Sequence, residues 1–194
     1  NKTAGDFNIA MGGYSMANGA GTYSVGIGYS TLFSNAASAN TAVGQNALSG
    51  SYLTGGENTG IGAYTLAYNA TGSKNTALGY GAGTNPNSIS SNENSVIDTK
   101  ATFIGHSASR ASTTASTTEL TNITAIGYNS KVGTSSALIL GGTGDDAVKV
   151  GIGTSTPLGQ FDIVTPLSSV AETPCQTGCG TNGTGTAAAD FNMG

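Results

Sequence analysis

"NTAVGQNAL" at residues 40–48 returns as "NTGIGAYTL" at 58–66 and "NTALGYGAG" at 75–83, and more loosely as "NITAIGYNS" at 122–130. The shared element is Asn-Thr, a small residue, an aliphatic residue and Gly. Aligning each aliphatic residue that precedes a glycine yields Met11-Gly12, Ile27-Gly28, Val43-Gly44, Ile61-Gly62 and Leu78-Gly79, whose glycines are 16, 16, 18 and 17 residues apart. The series resumes after longer insertions at Ile104-Gly105, Ile126-Gly127 and Ile152-Gly153. Such a period is too short for helix-pair repeats, which need roughly 33 residues or more, and the density of Asn and Gly disfavours helix. Two short strands and two turns fill one period, which predicts an all-β chain coiled as a parallel β-solenoid.

Within "TAVG" side chains should alternate between faces. Thr41 and Val43 share one face, expected to fill the coil interior, whereas Ala42 and Gly44 share the other, expected to let a neighbouring backbone approach. Asn40, Asn58 and Asn75 precede the strands, where an Asn side chain bonds local backbone and tolerates turn geometry. Stacked Asn or Thr side chains would add hydrogen bonds between rungs.

Composition agrees with small-residue repetition. Only 8% of the 194 residues are charged, 31 are glycine, aromatics make up 7% and tryptophan is absent, whereas a typical domain is about 25% charged with roughly 7% glycine. One aliphatic side chain per period returns about 1.5–3 kcal/mol. Ordering the backbone costs about 1–2 kcal/mol per residue, so an obligate oligomer packed along small-residue faces is expected. The net charge of −4 and six dispersed basic residues argue against nucleic acid as a partner. The densest apolar run, "ALIL" at 137–140, is far shorter than the ~20 residues of a membrane span. The chain begins at Asn1 rather than Met and is expected to be a processed product or a fragment.

The repeats, together with "NITAIGYNSKVGTSSALILGGTGDDAVKVGIGTSTPLGQFDI" at 122–163, resemble the heads of trimeric autotransporter adhesins. They equally resemble the repeat regions of phage tail fibres that carry an endosialidase-type chaperone domain. The resemblance covers roughly residues 7–164. It implies a left-handed parallel β-roll, three chains per fibre, an extracellular attachment or structural role, and an exit from the roll toward a stalk at "VGIGTSTP". Neither a membrane anchor nor a self-cleaving chaperone is recognisable in these residues, so export and assembly routes stay open.

Along the chain, residues 1–164 read as the repeat domain with loop insertions at 84–100 and 107–121, and residues 165–194 as a connector or cap. Loops leaving a solenoid are common recognition sites. "DFNMG" at 190–194 echoes "DFNIAMG" at 6–12, which raises head-to-tail stacking into a filament. Cys175 and Cys179 cannot make a zinc site alone; a disulfide within one chain and one between chains both remain open.

Enzymatic chemistry is not expected. "GGTGDDAVK" at 141–149 matches a calcium-binding nonapeptide, but such sites need consecutive copies, and one copy leaves Asp145 and Asp146 as candidates only. The Gly-rich "GYGAG" and "GIG" stretches belong to the ladder and precede no helical pattern. His106, the single histidine, occupies the position held by Gln45, Ala63, Tyr80 and Tyr128 in other rungs. Tyr14, Tyr29, Tyr64, Tyr80 and Tyr128 follow the rung glycines, either covering coil edges or presenting aromatic surface to sugars or protein. The reading is a non-enzymatic extracellular fibre or adhesin without cofactor. Its partners are itself and a host or cell-surface glycan or protein; a tail-fibre receptor-binding module and a self-assembling surface filament are the alternatives.

Overall fold

The computed structural model describes residues 7–19, 21–34, 36–50, 54–84, 98–111, 119–142 and 144–163. Strands β1 (Ile9–Met11), β2 (Val25–Ile27), β3 (Thr41–Val43), β4 (Thr59–Ile61), β5 (Thr76–Leu78), β6 (Thr99–Ile104), β8 (Thr121–Ile126) and β10 (Leu138–Leu140) form one eight-stranded sheet. All its pairings are parallel. A second parallel pair joins β7 (Ser109–Arg110) to β9 (Lys131–Val132), and a third joins β11 (Val150–Ile152) to β12 (Phe161–Ile163). The single helical element among the described residues is a 3₁₀ turn at Gly144–Asp146. The chain is therefore nearly all-β, in an arrangement compatible with a β-solenoid.

Register shows why the repeat tolerates insertions. Ile9 pairs with Val25, Val25 with Thr41, Thr41 with Thr59, and Thr59 with Thr76. Thr76 then pairs with Thr102 and Thr102 with Thr124, so the rung register is the same on both sides of each insertion. One expectation needs correction here. The rung after Ile126-Gly127 is Leu140-Gly141, since Leu140 pairs with Ile126, whereas Ile152 pairs with Ile163 in the separate β11–β12 sheet.

The two faces of each strand are also the reverse of the expectation. Gly26, Ala42, Gly60, Ala77, Phe103 and Ala125 point inward and are buried, while Ile27, Ile61, Leu78, Ile104 and Ile126 are exposed and Thr41 and Val43 only half-buried. The reason is space. The interior opposite the strands is already occupied by Met16, Leu32, Leu48 and Leu66, all buried. A methyl on Gly60 would lie 2.7 Å from Thr65 Oγ1, and one on Gly26 2.8 Å from Ser15 Oγ. Where the leucine column breaks at Gly83, Phe103 turns its ring into the space, to within 2.9 Å of where a Gly83 Cβ would sit.

The asparagines act between rungs. The Asn40 Oδ1 accepts from Asn58 N (2.9 Å), Asn58 Oδ1 from Asn75 N (3.0 Å) and Asn75 Oδ1 from Ala101 N (2.9 Å). Asn58 Nδ2 donates to Gly55 O and Gly72 O. These side chains are buried, so the ladder satisfies backbone groups that water cannot reach. Asn58→Ala is expected to cost about 2 kcal/mol, because a buried N–H without an acceptor costs roughly 1–3 kcal/mol. Asn58→Asp should cost more, since it aims a carboxylate at two carbonyl oxygens. Urea unfolding followed by circular dichroism checks both values and their order.

Candidate interaction surface

The inverted strand places a distinctive surface outside. At rung β5, Lys74, Thr76, Leu78 and Tyr80 are exposed while Asn75 and Ala77 between them are buried. Rung β6 repeats this with Lys100, Ile104 and His106 exposed and Thr102 half-buried, and rung β8 with Asn122, Ile126 and Tyr128 exposed and Thr124 half-buried. Strands β2, β3, β4, β5, β6 and β8 thus each present a border residue, a β-branched residue, an aliphatic residue and a second border residue. The two outward positions of each three-residue strand lie about 6.6 Å apart on rungs about 4.8 Å apart, so the aliphatic side chains form one regular exposed column along the sheet beside a column rich in threonine. Of the repeat residues singled out in the sequence, Ile61, Leu78 and Ile126 lie exposed on this face and Val43 half-buried on it.

Gly44, Gly62, Gly79 and Gly127 form the corner beside that face. Their φ values lie between +118° and +128°. A Cβ on Gly44 would stand 2.6 Å from the Gly62 carbonyl carbon, and one on Gly62 2.7 Å from Gly79 O. The glycine column is where successive backbones touch, and that is what the repeat preserves.

Past the corner stands an aromatic border. Tyr80 and His106 stack with ring centroids 5.2 Å apart, and His106 and Tyr128 stack at 5.4 Å. Tyr64 meets Tyr80 edge-on at 5.7 Å, as Tyr14 meets Tyr29 at 5.6 Å. Because Tyr80, His106 and Tyr128 turn their faces toward one another, they offer solvent their edges rather than the open platform on which a sugar ring stacks. The opposite border carries Phe7 stacked on Tyr23 (5.1 Å), then Ala39, Glu57, Lys74 and Lys100.

The insertions are anchored by a buried ion pair. Asp98 Oδ1 accepts from Arg110 Nη1 at 2.8 Å and from Leu120 N at 3.0 Å, which ties the end of the first insertion to both roots of the second. The described chain rejoins the stack at Asp98 and Thr99, and Ser109–Arg110 form β7. Residues 98–100 and 109–110 are therefore part of the stacked body rather than loop. Burial raises the Asp98 carboxyl above its ordinary value of 3.8, against the lowering effects of the Leu120 hydrogen bond and Arg110. A raised folded value means the group's contribution is complete below about 3.8 and is lost as pH climbs through the folded value. Wild-type stability relative to Asp98→Asn should accordingly rise between neutral pH and about pH 4. Denaturant titrations at several pH values check this, and a difference that falls on acidification refutes it.

Asp146 Oδ2 accepts from Asn129 Nδ2 at 2.7 Å, and Asp145 is exposed. No group of three or more potential metal-ligating side chains occurs among the described residues. No described helix is long and apolar enough to cross a membrane. Cys175 and Cys179, the 165–194 segment, the 190–194 echo and most of both insertions lie outside the described residues. The Asp98–Arg110 pair and the charged border at Lys74 and Lys100 escaped the sequence reading. Alternation at i, i+2, i+4 and i+6 around each Asn-Thr would have revealed the border. No known family model, curated protein or solved structure matches the chain.

Proposed function

We propose that the chain is a non-enzymatic extracellular fibre or adhesin module, a left-handed β-roll of 16–18-residue coils that assembles as a homotrimer and mediates surface attachment. The observation that carries this reading is the exposed aliphatic face running the length of the parallel sheet. A column of aliphatic side chains exposed on rung after rung is the kind of surface that another chain covers. The resemblance of the repeats to adhesin heads and tail-fibre repeats supports the same stoichiometry and an extracellular place. Recognition of a glycan or protein on a host surface would then fall to the insertions rooted at Asp98 and Arg110. Native mass spectrometry tests the assembly: a particle of three 19.0 kDa chains is expected, and a folded single chain refutes it.

A further inference from the structure

Asp98 is wholly buried, yet only one of its two carboxylate oxygens is served. Oδ1 accepts from Arg110 Nη1 and from Leu120 N, whereas Oδ2 meets no donor among the described residues. An ionised carboxylate with one oxygen dry and unbonded is costly, and a proton on that oxygen removes the cost without disturbing either bond to Oδ1. The Asp98 backbone is itself fixed, its carbonyl accepting from Asn75 Nδ2 at 2.7 Å. Burial is the largest influence on the carboxyl and raises it; the Leu120 hydrogen bond and Arg110, on β7, lower it, and Glu119, exposed just before β8, raises it. Asn75, at the start of β5, brings no charge, and Lys131 on β9 is engaged elsewhere, with Ser107 O and Ser109 Oγ.

What this carboxyl restrains is a lightly held element. β7 has two residues and pairs with β9 alone, through bonds from Ser109 N to Ser130 O and from Ala111 N to Val132 O, whereas β6 and β8 pair along their length. An element with few bonds to break is the one that opens locally while the body stays folded. Arg110 lies in β7 and Leu120 immediately precedes β8, so both roots of the second insertion are tied to one carboxyl oxygen. We propose that Asp98 is an acid-set latch on the second insertion: with its carboxyl neutral both roots are held shut, and on ionisation β7 and Leu120 detach more readily while the rest of the stack stays closed. The sign follows from linkage. An opened, solvated Asp98 has the ordinary value of 3.8 and the closed one a raised value, so the tie is complete below about 3.8 and is lost as pH climbs through the closed value. Detachment of Ser109–Arg110 adds those residues to the second insertion and lengthens its reach. The latch lies within one chain and does not depend on the assembly proposed above.

Hydrogen–deuterium exchange of the full chain, corrected for intrinsic amide rates, tests this between about pH 4 and about pH 7.5. Protection at Ser109, Ala111 and Leu120 is expected to fall several-fold as pH rises, while protection along β6 from Thr102 to Ile104 stays constant. In Asp98→Asn, whose amide oxygen can still accept both bonds, the pH dependence at the three amides should vanish. Wild-type protection that stays flat or increases with pH overturns the latch, as does an Asp98→Asn variant that keeps the dependence. If Asp98→Asn does not fold, the exposed Glu119→Gln replaces it. Losing the Glu119 charge should move the fall in protection to lower pH, and a midpoint that is unmoved or higher overturns the proposal.

Discussion

Gly62→Ala should destabilise the protein by on the order of 4 kcal/mol, a size that marks outright steric disruption. Two costs combine. At φ +128° an alanine is strained, and such strain alone runs about 1–3 kcal/mol. The new methyl would also sit 2.7 Å from Gly79 O and 2.9 Å from Gly79 C, so the next rung must move away and weaken the ladder bond from Gly79 N to Ile61 O. Gly144→Ala is the control. Its φ of +64° is also positive, but nothing lies within 4 Å of an added Cβ, so a cost of only about 1 kcal/mol is expected. Denaturant unfolding of the two variants separates contact from conformation; equal losses would show that the glycine column is not a backbone contact.

The second large effect concerns Phe103, the bulkiest fully buried side chain described. Phe103→Ala is expected to cost about 3–5 kcal/mol, the usual range for emptying a buried aromatic site. Its ring fills the space left where Gly83 interrupts the column of Leu32, Leu48 and Leu66. Leucine at that column position already adopts positive φ, as at Leu66 (+48°), so Gly83→Leu combined with Phe103→Ala should recover part of the loss. Gly83→Leu alone should destabilise, because a Cβ at Gly83 would lie 2.6 Å from Leu66 Cδ2 and 2.9 Å from Phe103 Cδ2. The double-mutant cycle should therefore show a favourable coupling energy, and additive losses would refute the compensation. Thermal or urea unfolding of the three variants measures it.

Conservation of rung register through two insertions explains why the repeat remains legible past residue 100. The insertions cost mainly loop-closure entropy, which grows slowly with length, and the Asp98–Arg110–Leu120 cluster pins their roots. Removing the Asp98 carboxylate would untie both at once.

The sequence by itself determined the period, the all-β character and the obligatory glycines, because strand alternation and the backbone contact at each corner are local and repeat with every rung. The Ile126-Gly127 rung was legible for the same reason. Which strand face points inward was not, since "TAV" alternates identically either way up. That choice depends on the leucine column arriving from six residues further along and filling the interior, which leaves room opposite it for Gly and Ala. Leu140-Gly141 likewise lacked the Asn-Thr signature and became a rung only through its pairing with Ile126. The exposed aliphatic face with its two unlike borders is a product of tertiary structure, created when packing turned the larger side chains outward.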